Sequence, residues 1–297
     1  MNNKLKDLLE QYFNNKVTNI NKVTANVTLF CIEDQKYITK LVSSKCNEIY
    51  NFLLQQQIST VSYPLKKFRI NEGLFFLYKY ETELNIPVLK KTQQLLDSIT
   101  VVHKGTSYEK KLNKKNYKYL FRTYKKTDYK FQMLEMYIRE AEVKQSKNDF
   151  DWVILSKYSI FLDTKIIMYN LQKKIHNYID EKISVVYALN HGNLDLNHLY
   201  NKKIISFDNA YRGIFISDLA RLYVECDHIN LDWHTVISQI IDPYENNFYK
   251  IYFKFLVLYI YVINIDFDLV DINNACNKYI QLSRRISNFL THFSDYK

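Results

Sequence analysis

Hydrophobic positions in this chain first form short runs and then recur with helical spacing. Four runs of apolar and β-branched residues, joined in pairs by polar turns, predict two antiparallel hairpins. The runs are 26–33, 36–42, 64–70 and 73–80. A helix is predicted over 4–13, followed by a polar connection, and another over 45–56, where Ser43-Ser44 can cap it. The first 80 residues therefore predict a small sheet with two helices.

From Pro87 onward the pattern becomes helical, because apolar residues recur every three or four positions and no proline occurs between Pro87 and Pro243. The predicted helices are 89–102, 108–124, 131–142, 160–179, 246–265 and 272–293. The most apolar run, 255–265, is far shorter than the roughly 20 residues of a membrane span. It predicts a core helix, and the whole pattern predicts an α+β fold.

Composition narrows the class of protein but does not select a partner. With 297 residues, 47% of them hydrophobic, the chain can bury a large core. The net charge of +10 permits anionic partners, yet the lysines are dispersed among acids and no cluster matches a nucleic-acid-binding motif. The four cysteines lack metal or disulfide spacing, and the N-terminus lacks signal-peptide features. We therefore expect a cytoplasmic protein whose partner is an unidentified protein or small molecule.

Residues 189–222 combine features that the rest of the chain lacks. This segment holds two of the four glycines, Gly192 and Gly213, and two short apolar runs joined by a polar turn at 201–203. Polar residues precede the runs, and Ser206-Phe207-Asp208 follows them. The pattern predicts a hairpin with polar side chains converging at its base.

The segment resembles the catalytic segment of the aminoglycoside phosphotransferase and choline kinase group, including its spore-coat-associated kinase-like branch. In that group the segment contains H-G-D-x-x-x-x-N, a hairpin, I-D-[FW]-[DE], a glycine and D-L-A. The residues in register are His191, Gly192, Phe207, Asp208, Gly213, Asp218, Leu219 and Ala220. The resemblance implies a two-lobed protein-kinase-like α+β fold. Its small antiparallel-sheet lobe would be 1–80, and its large, mostly helical lobe 81–297.

Three positions that carry chemistry in the group are replaced here. Asn193 stands at the catalytic Asp, His198 at the magnesium-binding Asn, and Ser206 at the metal-binding Asp. Asn193 cannot accept a proton at neutral pH, and a positioned general base is typically worth about 10²–10⁴ in rate. Magnesium prefers carboxylate and carbonyl oxygen to imidazole or hydroxyl groups. These replacements predict a degenerate, pseudokinase-like site.

Two carboxylates offer possible substitutes for the lost acids. Asp195 and Asp208 each lie two residues from a replaced position. The alternative is that Asp195 caps the loop and Asp208 faces solvent. By resemblance, His191 is a structural member of the loop, and Asp218 anchors the loop backbone around His191.

The resemblance also implies nucleotide-binding positions in the first part of the chain. Lys40 would be the strand lysine that contacts phosphates, and Glu48 its partner from the following helix. Tyr80 and Glu81 would lie in a hinge whose carbonyls meet an adenine edge. No glycine-rich phosphate loop precedes Lys40, so the sequence gives no separate nucleotide signal.

Three functional hypotheses follow from these residues. The first is a non-catalytic kinase-like binding or structural module, with the spore coat as one location. The second is an active or weak small-molecule phosphotransferase that uses Asp195 or Asp208, with ATP and magnesium as cofactors. The third is a basic nucleic-acid or anionic-surface binder, which would need its lysines concentrated on one face.

Overall fold

The computed structural model describes residues 3–71, 73–80, 85–267 and 270–296. Its α-helices are α1 (Asn3–Phe13), α2 (Ser44–Gln55), α3 (Val88–Thr106), α4 (Lys114–Val143), α5 (Asp149–Asp180), α6 (Ile216–Cys226), α7 (Trp233–Ile241), α8 (Phe248–Ile263) and α9 (Ile272–His292). Its strands are β1 (Val17–Lys22), β2 (Val27–Ile32), β3 (Gln35–Val42), β4 (Lys66–Ile70), β5 (Gly73–Lys79), β6 (Tyr108–Lys111), β7 (Ser184–Asn190), β8 (Leu199–Tyr200), β9 (Lys203–Ile204) and β10 (Tyr211–Ile214). The α+β class is confirmed.

The first five strands form one antiparallel sheet in the order β1-β2-β3-β5-β4. Both predicted hairpins, β2–β3 and β4–β5, are present in it. The core on one face of the sheet contains Leu5 and Leu9 of α1 together with Phe30 and Leu77. Strand β1 was not predicted, because only its first residue is buried and the others are exposed. An edge strand with one apolar anchor shows no alternation that a sequence pattern could reveal.

The described chain divides into two compact units. The first comprises residues 1–107 and 188–213, and the second comprises 108–187 and 214–297. The first unit therefore contains the sheet, α2, α3 and most of the motif-bearing segment. The sequence-based boundary at residue 80 stays a prediction.

Helix α2 shows how the sequence fixes a local face. Ser43 caps it, since its hydroxyl accepts a hydrogen bond from the Cys46 N–H at 3.1 Å. The buried residues recur at helical spacing and are Cys46, Ile49, Tyr50 and Leu53. Glu48 lies outside this stripe and is exposed. The helix therefore presents a thiol and a phenol, rather than a carboxylate, to the interior of the first unit.

The second unit is dominated by long helices. Residues 114–143 form one helix, α4, where the sequence predicted separate helices over 108–124 and 131–142. The polar stretch 125–130 contains no glycine or proline to interrupt helical hydrogen bonding. Helix α8, which contains most of the predicted core run, is buried over most of its length. In the described ranges no helix has the length and apolar character needed to cross a membrane.

Candidate functional site

The motif-bearing segment begins with a backbone turn that requires glycine. Gly192 has φ +80°, and a Cβ placed there would lie 2.4 Å from the carbonyl oxygen of Asn209. Only glycine avoids both the positive-φ strain and this overlap with backbone. Gly192 therefore allows the chain at 191–193 to approach the chain at 207–210.

The predicted hairpin after this turn is present. Strands β8 and β9 pair antiparallel, and the turn residues Asn201 and Lys202 both have positive φ, as expected for a tight hairpin turn. The Ile204 N–H donates to the Thr60 carbonyl at 2.7 Å, and the Ile204 carbonyl accepts from the Ser62 N–H at 3.0 Å. These bonds hold the hairpin against the segment that follows α2.

His191 lies fully buried beneath this hairpin. Its Nε2 is 2.9 Å from the carbonyl oxygen of Ile205, which can only accept, so Nε2 carries the proton. The imidazole also contacts the rings of Phe207 and His198, with centroid distances of 5.0 and 4.6 Å. This environment suits a residue that fixes the loop rather than one that exchanges protons with solvent.

The structure brings Lys40 directly to the segment 206–208. Lys40 Nζ donates to Ser206 Oγ at 3.2 Å and to the carboxylate of Asp208. The Lys40 side chain is 19% exposed and that of Asp208 is 39% exposed. Ser206 adopts a left-handed conformation, with φ 66° and ψ 54°, just before the short helical turn Phe207–Asn209. These three side chains define the Lys40 cluster.

Helix α2 contributes Cys46 to the Lys40 cluster. The Cys46 thiol is almost fully buried, and burial followed by the neighbouring Asp208 charge raises its pKa to about 12. A hydrogen bond from this neutral thiol to Asp208 also raises that pKa. Sequence analysis did not identify Cys46 as a site residue, although its place on the buried stripe of α2 was a usable signal.

Glu48 does not join the Lys40 cluster. It is exposed, and within the described residues it forms no ion pair with Lys40. The reason is helical phase, because residue 48 is about 200° around the helix from Cys46. Asp208 thus occupies the place beside Lys40 that the resemblance assigned to Glu48.

An aromatic wall closes the inner side of the cluster. Tyr50 packs edge-on against Phe207 and Phe76, with ring centroids 5.9 and 5.4 Å apart. Burial raises the pKa of Tyr50 to about 12 and raises the pKa of its hydrogen-bonded neighbour Tyr78 as well. The wall is therefore uncharged at neutral pH, and it borders Asp208, whose charge also raises the pKa of both tyrosines.

Asp195 has partners of its own, apart from Lys40. Its Oδ1 accepts from the Asn197 N–H at 2.8 Å, capping the short turn Leu196–His198, and lies 2.9 Å from His198 Nδ1. This is the loop-capping geometry that the sequence offered as the alternative. Asn193 is half-buried, and its side chain makes no hydrogen bond within the described residues.

Three further predicted residues are Tyr80, Glu81 and Asp218. The Tyr80 carbonyl, at the end of β5, accepts from Gln35 Nε2 at 3.0 Å, and the Tyr80 ring lies 6.3 Å from that of Tyr200. Glu81 lies outside the described residues. Asp218 is buried in the first turn of α6, in the second unit. Its anchoring of the loop around His191 stays a prediction.

The donor set does not fit a two-magnesium phosphoryl-transfer centre. In the part of the chain that the structure describes, no three His, Cys, Asp or Glu residues are grouped so as to hold a metal ion. The Asp208 carboxylate is bound by Lys40, and Ser206 offers a hydroxyl where magnesium would need a carboxylate. Ser206 and the paired Asp208 therefore do not form the ligand set of a two-magnesium centre.

Comparison with known proteins finds similarity in structure but not in sequence. No protein-family model matches the chain, and no curated protein sequence matches it. An aminoglycoside phosphotransferase from Alicyclobacillus acidocaldarius superposes with a TM-score of 0.70 at 13% identity, covering 94% of this chain and 92% of that one. The choline kinase LicA from Streptococcus pneumoniae gives a TM-score of 0.46 at 13% identity, covering 96% and 98%. The chain therefore has the protein-kinase-like α+β fold of the aminoglycoside phosphotransferases.

Proposed function

We propose that this chain is a kinase-like protein whose phosphotransfer chemistry is degenerate and which acts as a binding module. The observation that carries the proposal is the pairing of Lys40 with Asp208 and Ser206. The lysine that would hold phosphates is retained, but its charge is neutralised by a carboxylate of the same chain. A ligand at Lys40 must therefore displace Asp208.

The proposal is supported by the lack of a suitable proton acceptor in the loop. Asn193 carries an amide at the catalytic position, and an amide does not take up a proton at neutral pH. Asp195 already accepts the Asn197 N–H and lies beside His198. Asn193 provides no carboxylate, and the Asp195 carboxylate is engaged within the loop through its Oδ1.

The Lys40 cluster retains the properties of a binding site for a phosphate-bearing ligand. The Lys40 side chain is 19% exposed, so its attraction for an anion is screened less than that of a fully exposed surface lysine. Asp208 is more exposed and can rotate into solvent when an anion replaces it. We therefore expect binding of phosphate groups without a requirement for magnesium.

The test combines nucleotide titration with an assay of turnover. ATP, with magnesium or with a chelator, is titrated into the full chain while the melting temperature is followed, because a ligand that binds only the folded state stabilises it. We expect stabilisation that does not depend on magnesium, is lost in Lys40→Gln and is stronger in Asp208→Asn. Lys36→Gln, an exposed lysine of the same strand, is the matched control.

The outcome against the proposal is equally specific. The proximity of Asp208 to Lys40 favours one alternative, a weak phosphotransferase in which Asp208 holds the metal. Magnesium-dependent ATP turnover by the wild type, abolished in Asp208→Ala but retained in Lys36→Gln, would establish that alternative.

A spore-coat location rests on the sequence resemblance alone, and fractionation of spores with an antibody to the chain tests it.

Ser206→Asp tests whether the absence of a carboxylate at position 206 prevents metal binding. Ser206 has a left-handed backbone conformation, which Asp tolerates better than most residues. Ser206→Asp therefore places a second carboxylate beside Asp208 with little backbone strain. We expect magnesium to stabilise this variant but not the wild type, whereas equal stabilisation of both would contradict the degenerate-site argument.

A further inference from the structure

Helix α2 packs against the short turn that carries Asp208, and both belong to the first unit. Tyr50 of α2 contacts Phe207, the residue before Asp208, with ring centroids 5.9 Å apart. Beyond the turn, the guanidinium carbon of Arg212 lies 4.7 Å from the centre of the Phe52 ring, also in α2. Asp208 therefore lies in a stretch of chain that α2 contacts on both sides.

Cys46 lies on the same face of α2, one helical turn before Tyr50. It is almost fully buried, and its thiol donates a hydrogen bond to the Asp208 carboxylate. Lys40 of β3 donates to the same carboxylate. Asp208 is therefore held from two elements at once, by an ammonium group of the sheet and by a thiol of the helix.

We infer that the Cys46 thiol is a latch that keeps Asp208 on Lys40 and so limits the access of phosphate groups to that lysine. The inference rests on the proposed function, in which a ligand at Lys40 displaces Asp208. The displaced carboxylate turns toward solvent, where it is already 39% exposed, but the buried thiol cannot follow it. Binding therefore breaks the bond between thiol and carboxylate, and the free energy of this bond reduces the affinity for the ligand.

Cys46 is a positioning residue in this scheme, because it acts on the ligand only through Asp208. Serine keeps a hydrogen-bond donor at this position, whereas alanine does not. Because the two side chains differ only by the hydroxyl group, a cysteine that merely fills the core would give similar results in both variants. The pair therefore separates the latch from a packing role.

The latch is tested by isothermal titration calorimetry of ATP, with a chelator in place of magnesium, into the full chain. We expect Cys46→Ala to bind ATP about three- to tenfold more tightly than Cys46→Ser, since a net hydrogen bond is worth about that factor. Cys46→Ser should bind ATP no more tightly than the wild type. Cys31→Ala, which alters a cysteine of β2, is the matched control and should leave the affinity unchanged.

A double-mutant cycle tests whether Cys46 acts through Asp208. In the Asp208→Ala background no carboxylate remains to be held, so the difference between Cys46→Ala and Cys46→Ser should disappear. A difference that persists there, or equal affinities of the two variants when Asp208 is present, would overturn the latch alone. Absence of ATP binding in every variant would overturn the proposed function and the latch with it.

Infrared spectroscopy tests the hydrogen bond without a ligand. The S–H stretching band of Cys46 is isolated as the difference between the wild type and Cys46→Ala. We expect this band at higher frequency in Asp208→Ala, because a thiol that has lost a charged acceptor has a stiffer S–H bond. A band that does not move would show that the thiol is not bound to Asp208 and would overturn the latch even if ATP binds.

Discussion

Asp151 and Asp208 are both carboxylates held by a lysine, one in each unit of the molecule, but their environments differ sharply. The Asp151 side chain is 1% exposed and binds Lys144 Nζ at 2.8 Å and the Tyr137 hydroxyl at 2.9 Å. It also accepts the Asn148 N–H at 2.9 Å in the capping box of α5. The Asp208 side chain is 39% exposed and contacts Lys40 at the edge of a short turn.

The difference separates an ion pair that maintains a fold from one that can be exchanged. Removing a partner from a buried, saturated carboxylate leaves groups without hydrogen bonds, which is costly. The Asp208 carboxylate is 39% exposed and regains hydration when it leaves Lys40, so this pair contributes little net stability. Lys40 and Asp208 can therefore separate for a ligand at small cost, whereas Lys144 and Asp151 cannot.

The largest effect is expected where the backbone positions Asp208. Gly192→Ala forces a positive φ on alanine and drives its Cβ into the Asn209 carbonyl, next to Asp208. We expect a loss of about 3–4 kcal/mol in the free energy of unfolding, measured by chemical denaturation. Gly73→Ala is the control, because its new Cβ would come no closer than 3.1 Å to other atoms. A Gly192→Ala protein as stable as Gly73→Ala would contradict the role given to this turn.

Removal of the buried Asp151 carboxylate should lower the free energy of unfolding nearly as much as Gly192→Ala. Asp151→Ala leaves the Tyr137 hydroxyl and the Asn148 N–H without their acceptor and opens the α5 cap. We expect a loss of about 3 kcal/mol in the free energy of unfolding. Asp149→Ala, an exposed acid in the first turn of the same helix, should change stability by less than about 0.5 kcal/mol. Equal losses in the two variants would contradict the structural role of Asp151.

Asp151 should also make the free energy of unfolding depend on pH, and the direction of this dependence follows from its lowered pKa. Burial alone would raise the pKa of Asp151, but hydrogen bonds from Lys144, Asn148 and Tyr137 lower it below its usual range. Its ionised form therefore stabilises the fold above the ordinary carboxyl pKa of about 3.9, and this stability is lost as the pH falls toward the lowered value. Below about pH 4, the free energy of unfolding should fall less steeply with decreasing pH in Asp151→Asn than in the wild type, as measured by acid denaturation. A steeper loss in the variant would show that the pKa is not lowered.

The smallest effect is expected at the exchangeable pair. Asp208→Ala should reduce the free energy of unfolding by at most about 1 kcal/mol, because the carboxylate is substantially exposed. Thermal and chemical denaturation of this variant beside Asp151→Ala give the comparison directly. A loss as large as that of Asp151→Ala would mean that the Lys40 cluster serves stability and is not available to a ligand.

Much of the fold near the site followed from local sequence. The two hairpins, α2 with its Ser43 cap and the β8–β9 hairpin were predicted, because alternation, capping and turn chemistry are local properties. Strand β1 was missed because a single buried residue gives no pattern. Helix α4 was predicted as two helices because the polar stretch between them resembles a helix end. That stretch contains no helix breaker, so the helix continues through it.

The Lys40 cluster was only partly visible in the sequence. Lys40, Ser206 and Asp208 were all identified as site positions. The resemblance, however, implied that Glu48 is the ion-pair partner of Lys40. The actual partner, Asp208, is 168 positions away in the chain. Cys46 was missed because its role depends on which face of α2 is turned toward Asp208.

The sequence by itself determined which groups stand at the three replaced positions, namely an amide at 193, an imidazole at 198 and a hydroxyl at 206. The loss of phosphotransfer that these groups predict stays a prediction. The sequence also determined the need for glycine at 192, since a tight turn is a local requirement. Only the tertiary structure decided which carboxylate neutralises Lys40 and that Asp195 caps the loop. Charge pairing depends on distance and burial, and both are fixed when distant segments pack together rather than by neighbours along the chain.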